Sequence, residues 1–264
     1  MNSIIKWTIQ QRKLSIIWWC LGMTFFVFLT LIFYPSFKQD AAELEKTFEN
    51  IPDAALQLLG GSTDFFSPIG YINSQIYFIM LPLLLGIVAI GQGSSIVAKE
   101  EQDKTIEGLL ARPVSRSKLL LSKAFSAIAI LTIITAVSHL AIVIVASIVS
   151  LDVSIYAMTQ ATFVCYLMCL SFGSVAFLLT ATGKAKGASV GVATFIAFGG
   201  YIIASLAGTV SWLSAPSKLF PFNYYNPEAI LRGSFNWNNI WYFVGVTVLC
   251  GILSWLAFRR RDIV

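Results

Sequence analysis

Residues 156–181 read YAMTQATFVCYLMCLSFGSVAFLLTA, a run without a single Asp, Glu, Lys or Arg. A helix needs about 20 predominantly apolar residues to cross the hydrocarbon core of a bilayer. The run is therefore long enough and apolar enough to form a membrane-spanning helix. This predicted span identifies the chain as a membrane protein, so the rest of the sequence is read for further spans.

Five further stretches of similar length also lack charged residues. They are Leu14–Tyr34, Ile76–Val97, Ala124–Ser150, Ala188–Val210 and Ile240–Phe258. The period-two alternation of an outer-membrane barrel is absent, and helices are the other way to satisfy every backbone group in lipid. We therefore predict an all-α membrane protein with six transmembrane helices, forming a single transmembrane domain over residues 1–264.

The composition agrees with a membrane protein and excludes other classes. Hydrophobic residues make up 57% of the chain and charged residues 12%, whereas a soluble domain carries roughly 25% charged residues. The formal charge of +5 does not indicate nucleic-acid binding, because the basic residues flank the predicted spans. We expect them to set the topology and to contact membrane lipid, and we predict no nucleic-acid partner.

The distribution of basic residues predicts the orientation in the membrane. Of the 18 Lys and Arg residues, 14 lie on the side that carries both termini and 4 on the other side. Loops rich in Lys and Arg remain on the cytoplasmic side. The sequence thus predicts a multi-pass plasma-membrane protein with both termini in the cytoplasm.

Three segments outside the spans have a helical pattern. The N-terminal arm alternates apolar and basic residues around Trp7, which predicts a helix at the cytoplasmic interface. On the outer side, Phe37–Gly61 has the spacing of a short amphipathic helix. Residues Ser211–Asn239, here called the aromatic segment, contain three prolines and several Trp and Tyr residues. We predict that the aromatic segment forms short extracellular helices, either interfacial or re-entrant.

The cytoplasmic loop between the second and third predicted spans has the most informative sequence. Residues 99–118 read KEEQDKTIEGLLARPVSRSK and are here called the elbow. Ile106, Leu109 and Leu110 share one helical face, and charged residues occupy the other faces. Pro113 ends this helix, and Ser115 or Ser117 can cap the next one. A small apolar ridge with a charged rim suits docking into a groove on a cytoplasmic partner.

The elbow resembles the corresponding loop in the permease subunits of ABC transporters of the ABC-2 class. That family shows the pattern E-x-x-x-G-T-x-E-x-L-L-x-x-P-x-S-R with a later Lys, although Lys104 replaces its Gly here. The matching residues are Glu101, Thr105, Glu107, Leu109, Leu110, Pro113, Ser115, Arg116 and Lys123. The basic C-terminal tail and Tyr225-Asn226-Pro227 before the last span are also similar to the family, so the resemblance covers the whole chain.

The resemblance implies a half-transporter that works as part of an ATP-driven ABC exporter. A second permease chain, identical or paralogous, would pair with this one, and two cytoplasmic ABC ATPase subunits would dock on the elbow as a coupling helix. ATP and Mg would bind to those ATPases, so this chain would bind no cofactor and would not be an enzyme. The implied ATPase-coupling residues are Glu101, Thr105, Glu107, Leu109, Leu110, Arg112, Pro113 and Arg116.

The resemblance also implies where the substrate would pass. The first, second and fifth spans would line the dimer interface, with an apolar wall formed by Phe25, Phe26, Phe195, Phe198 and Tyr201. Such a wall suits a lipophilic or amphipathic substrate, such as a drug, a peptide or a lipid. The alternative is that these side chains face lipid or the protein core.

His139 suggests two other functions, because it is the one acidic or basic side chain within the predicted spans. As a proton relay it would favour an ion-coupled secondary transporter or a channel acting without an ATPase. As a reactive group it would favour a membrane enzyme or scaffold. With no carboxylate in any span, we instead predict a hydrogen bond to a neighbouring helix. Cys165 and Cys169 are one turn apart, and we predict that they pack in the core without binding a metal.

Overall fold

The computed structural model describes residues 2–39, 67–102 and 115–260, and within these ranges all side chains except those of Asn2, 96–102 and Arg116. The described residues form helices and turns and no strand. Six of the helices are long and apolar enough to cross a membrane. The predicted fold class is therefore confirmed.

The six spans agree with the predicted ones to within a few residues at most ends. They are Lys13–Gln39, Pro68–Ser95, Ser117–Ile148, Ile155–Ala181, Lys186–Leu206 and Trp237–Arg260. The N-terminal helix, the end of the second span, the start of the third span and the end of the sixth span contact one another at one end of the described bundle, here called the terminal face. The aromatic segment lies at the other end, here called the opposite face, where Tyr225 is hydrogen-bonded to Tyr77.

The long helices within and around these spans have well-defined bounds. The N-terminal arm forms the predicted helix, Asn2–Gln11, and the first span contains the helices Lys13–Ile32 and Tyr34–Gln39. The second span is divided into Pro68–Ile72, a π-helical turn at Asn73–Tyr77, and Met80–Gln102. The remaining long helices are Arg116–Ile148, Ile155–Ala181, Lys186–Leu206 and Ile240–Arg260.

The second and third spans begin well before the apolar runs that predicted them, at Pro68 and Ser117, and a capping serine lies at the start of each helix. Ser67 starts the second span, its Oγ accepting a hydrogen bond from the Gly70 amide at 3.0 Å, with Pro68 at the first helical position. Ser115 starts the third in the same way, accepting from the Lys118 amide at 3.3 Å. The predicted cap at Ser115 is confirmed.

The aromatic segment consists of short helices, as the sequence predicts. They are the 3-10 turns Ser211–Leu213, Pro221–Tyr224 and Trp237–Asn239 and the α-helices Ser214–Ser217 and Pro227–Leu231. Pro221 and Pro227 occupy the first position of two of these helices, where a missing amide proton leaves no hydrogen bond unmade. Of the predicted surface helix over Phe37–Gly61, only the first residues to Gln39 fall within the described part of the chain.

The second and fourth spans form the centre of the bundle. Of the most apolar 18-residue stretch of the second span, 61% is buried, whereas the figure for the sixth span is 17%. The two central helices touch through glycines: a Cβ at Gly173 would stand 2.8 Å from the carbonyl oxygen of Ala89, and Gly93 meets the Gly173 carbonyl even more closely. Small residues allow helix backbones to approach in this way.

Candidate functional site

Arg12, the residue between the N-terminal helix and the first span, is hydrogen-bonded to the second span at the terminal face. An Nη of Arg12 donates hydrogen bonds to Gln92 Oε1 at 2.6 Å and to Ser95 Oγ at 2.9 Å. Hydrogen bonds from a charged donor are stronger than neutral ones. Arg12 therefore holds the end of the second span that leads into the elbow.

The same N-terminal helix also contacts the start of the third span. Lys123 is 3% exposed, and its Nζ donates to Thr8 Oγ1 at 3.2 Å while lying 5.3 Å from the centre of the Trp7 ring. The ammonium group thus has a hydrogen-bond acceptor and a cation–π partner despite its burial. The N-terminal helix consequently bridges the two spans that frame the elbow.

The C-terminal end of the sixth span contacts the third span at the same face. Trp255 Nε1 donates to Ser117 Oγ at 3.1 Å, and the guanidinium of Arg259 lies 4.7 Å from the centre of the Trp255 ring. The second span is therefore held just before the elbow, at Gln92 and Ser95, and the third span is held at its start, at Ser117. The predicted coupling residues themselves cannot be placed as side chains: 103–114 lie outside the described residues, and of Glu101 and Arg116 only the backbone is described.

An apolar cavity of about 310 Å³ lies between the second and fifth spans. Pro82, Ile87 and Ile90 line it from the second span, and Phe198 and Tyr201 line it from the fifth. Two of the five residues predicted for the substrate path thus share one cavity wall.

The other three residues predicted for the path lie elsewhere. Phe25 and Phe195 are 64% and 74% exposed on the outside of the described bundle. Phe26 lines a separate open cavity of about 370 Å³, together with Phe37 and Tyr71. The structure does not bring these three to the cavity shared by Phe198 and Tyr201.

A second, polar cavity of about 260 Å³ adjoins the apolar one towards the opposite face. Its lining includes the polar residues Asn73, Ser205, Asn223, Asn226 and Glu228. The Glu228 carboxylate accepts a hydrogen bond from Arg232 Nε at 3.0 Å. Glu228 is the one charged residue among the described residues that line this cavity, and the other polar side chains there are neutral hydrogen-bonding groups.

Two aromatic side chains separate the apolar cavity from the polar one. Tyr201 and Phe222 line both cavities, and their rings pack edge to face with centroids 5.5 Å apart. Phe78 packs against Tyr201 at 5.9 Å, and Phe172 packs against Phe222 at 5.8 Å. We call the Tyr201–Phe222 pair the constriction. Phe222 belongs to the aromatic segment, and the sequence offered no signal for its role beyond the aromatic content of that segment.

His139 has the neighbouring-helix hydrogen bonds that the sequence predicts. Its Nδ1 lies 3.2 Å from Thr162 Oγ1 and its Nε2 lies 3.1 Å from Thr159 Oγ1, both on the fourth span. Both ring nitrogens therefore have hydroxyl partners within the bundle.

The two adjacent cysteines are packing residues in the bundle. Cys165 and Cys169 are fully buried, and Cys169 Sγ lies 3.5 Å from the carbonyl oxygen of Pro82. Among the residues that the structure describes, no cluster of His, Cys, Asp or Glu is arranged to hold a metal ion.

Comparison with known proteins assigns the chain to a family. The family model described as ABC-2 family transporter protein matches residues 4–263. No curated protein matches the chain. Because the match extends over nearly the whole sequence and agrees with the six-span helical fold, the chain belongs to the ABC-2 family and is a permease, the multi-pass membrane component of an ABC transporter.

Proposed function

We propose that this permease exports a lipophilic or amphipathic molecule, using ATP hydrolysed by two separate ATPase subunits that dock on the elbow. The observation that carries the substrate class is the pair of adjoining cavities. The apolar cavity can take up a hydrocarbon or aromatic body, and the polar cavity offers hydrogen-bonding groups to a polar end. The Tyr201–Phe222 constriction lies between the two ends of such a molecule.

Pairing with a second permease chain is part of this proposal. In the fifth span, a Cβ at Gly187 or at Gly191 would meet no described atom within 4 Å. Glycines four residues apart are typical of faces where membrane helices pack closely. An open face of this kind, next to the wall of the apolar cavity, favours a dimer interface that completes the substrate path.

The proposed direction of coupling follows from the attachments around the elbow. A force applied by an ATPase to the elbow would act on the ends of the second and third spans. Arg12, directly after the N-terminal helix, binds the end of the second span, and Thr8 of that helix accepts a hydrogen bond from Lys123 of the third span. The two spans would therefore tilt together, and the second span forms one wall of the apolar cavity.

The test is a charge placed on the apolar ridge of the elbow. Leu110→Glu should prevent the ATPase from seating there, because an unpaired carboxylate would have to be buried in the contact. We expect co-purification of the ATPase to fall by at least tenfold and ATP-dependent transport to be lost, with the permease still inserted in the membrane.

The matched control is Ala111→Glu, which adds the same charge on the other side of the predicted elbow helix. It should leave co-purification within twofold of the wild type. Unchanged ATPase binding and transport in Leu110→Glu would refute docking at the elbow. Transport by the purified permease reconstituted in liposomes without any ATPase would instead support the ion-coupled alternative.

A further inference from the structure

The helix of the second span is interrupted in its half nearest the opposite face. Residues Asn73–Tyr77 form a π-helical turn, in which the Phe78 amide donates to the Asn73 carbonyl at 2.8 Å, and the α-helix resumes at Met80. Pro82 then follows, and it lacks the amide proton that would continue the helical hydrogen bonding. π-helical turns and prolines are common causes of helix bends, and such turns are frequent at functional sites.

A tyrosine of the aromatic segment is hydrogen-bonded to the backbone at this interruption. Tyr225 is 7% exposed, and its hydroxyl donates to the Tyr77 carbonyl at 2.7 Å. Burial raises the pKa of Tyr225 well above its ordinary value, so the hydroxyl keeps its proton. The next two residues begin the helix Pro227–Leu231, with Asn226 Oδ1 accepting from the Ala229 amide at 3.0 Å. The Tyr-Asn-Pro sequence thus starts a helix and contacts the second span.

The side chain of Tyr77 fixes the other side of the interruption. Its hydroxyl donates to the Met158 carbonyl at 3.1 Å and lies 3.2 Å from Thr162 Oγ1, both in the fourth span. The interruption is therefore attached to the centre of the bundle through a side chain and to the aromatic segment through a backbone carbonyl.

Tyr225 is also close to the constriction. Phe222 precedes it by three residues, and the two rings pack edge to face with centroids 6.3 Å apart. A displacement of the Tyr77 carbonyl would act on Tyr225 through the hydrogen bond, and on Phe222 through the ring contact and the short helical turn that connects them. Phe222 in turn contacts Tyr201 across the constriction.

We propose that Tyr225 is a positioning residue that transmits tilting of the second span to Phe222 and so opens the constriction between the two cavities. This inference rests on the proposed ATP-driven function, because it supplies the cause of the tilt. The hydroxyl of Tyr225 is the group that makes the connection, and the aromatic ring fills the site in which it sits.

The experiment compares Tyr225→Phe with Tyr224→Phe in the permease–ATPase complex in lipid nanodiscs. Tyr224→Phe removes a hydroxyl from the same segment, but that hydroxyl donates to the Lys218 carbonyl at 3.0 Å, within the aromatic segment itself. Hydrogen–deuterium exchange is measured on peptides covering the interruption and on peptides covering residues 219–231. The complex is measured without nucleotide and after trapping with ATP and vanadate.

Without nucleotide, Tyr225→Phe should speed amide exchange at the interruption by about three- to tenfold, as expected for the loss of one hydrogen bond. Tyr224→Phe should not. After trapping, wild-type and Tyr224→Phe complexes should change exchange in both regions. In Tyr225→Phe, the interruption should still respond, and the response of residues 219–231 should fall to less than a third.

Two results in Tyr225→Phe would overturn the inference. One is unchanged exchange at the interruption in nucleotide-free Tyr225→Phe, which would show that the hydroxyl does not position the second span. The other is a wild-type response of residues 219–231 in that variant. The nucleotide-free comparison does not depend on ATP, so it tests the role of the Tyr225 hydroxyl separately from the proposed function. A wild-type complex that responds to trapping in neither region would refute ATP-driven coupling, and the proposed transmission would fail with it.

Discussion

Arg12 connects parts of the chain that lie 80 residues apart and gives the N-terminal helix a defined position. An amphipathic helix alone would lie anywhere on the membrane surface, since lipid offers no directional partner. The hydrogen bonds to Gln92 and Ser95 select one location, next to the helix end that enters the elbow. The role of Arg12 in this protein is therefore to place a surface helix, in addition to any effect on topology.

Replacing Arg12 with Ala should detach the junction between the N-terminal helix and the first span from the second span, which leaves that helix attached only through Lys123. Hydrogen bonds to a charged group contribute about 1.5–3 kcal/mol each, so amide exchange over residues 2–11 should rise at least tenfold. Lys13→Ala removes the same charge from an exposed neighbour and should leave this exchange unaltered. Equal protection in both variants would contradict the proposed attachment.

At the scale of elements, the contact between the second and fourth spans is set by two glycines. At Gly93 and Gly173 the backbones approach too closely for a Cβ. Ala89 lies in the same contact, and the Thr180 hydroxyl of the fourth span donates to the Ser94 carbonyl at 3.4 Å. The second span thus has the fourth span on one side and the apolar cavity on another.

Gly173→Ala should separate these two helices and lower the free energy of unfolding by about 1–3 kcal/mol, the usual cost of overpacking. Thermal unfolding of the purified permease in detergent would show the change as a lower Tm. Gly245→Ala in the sixth span is the control, because a Cβ there meets no described atom within 4 Å. In a helix interior that change should be neutral or slightly stabilising. Similar Tm values for the two variants would argue against a tight contact.

The sequence predicted the existence and order of the elements better than their contacts. Six uncharged runs were sufficient for six spans, because charge is excluded from lipid. The start of the second span was missed, since Asn73, Ser74 and Gln75 lie inside the helix and hide its first turns from an apolar count. Which aromatic residues share a cavity also could not be predicted. Phe195 and Phe198 are three residues apart on one helix, yet only Phe198 lines the apolar cavity.

At the scale of the whole molecule, burial is distributed unevenly. The second and fourth spans are the most enclosed, whereas the first, fifth and sixth present most of their surface to the surroundings of the chain. The exposed side of the fifth span combines Gly187 and Gly191 with the exposed ring of Phe195. This is the surface on which we expect the second permease chain to pack.

Gly191→Leu should weaken that pairing, because a branched side chain would keep the two helix backbones apart. The fraction of dimer, measured by native mass spectrometry of the permease released from mild detergent, should fall by at least fivefold. Gly245→Leu, on the sixth span, should leave the dimer fraction as in the wild type. A dimer that tolerates Leu at 191 would place the interface on another span.

The two walls of the apolar cavity differ in how strongly their residues are packed against the rest of the protein. On the second span, residues that line the cavity are next to residues in tight contact with the fourth span, so a substitution there disturbs packing as well as the cavity. The fifth-span wall, with Val190, Thr194 and Phe198, is less constrained. Selection for transport of a new compound should therefore recover variants of the fifth span more often than of the second, making it the adaptable wall of the two.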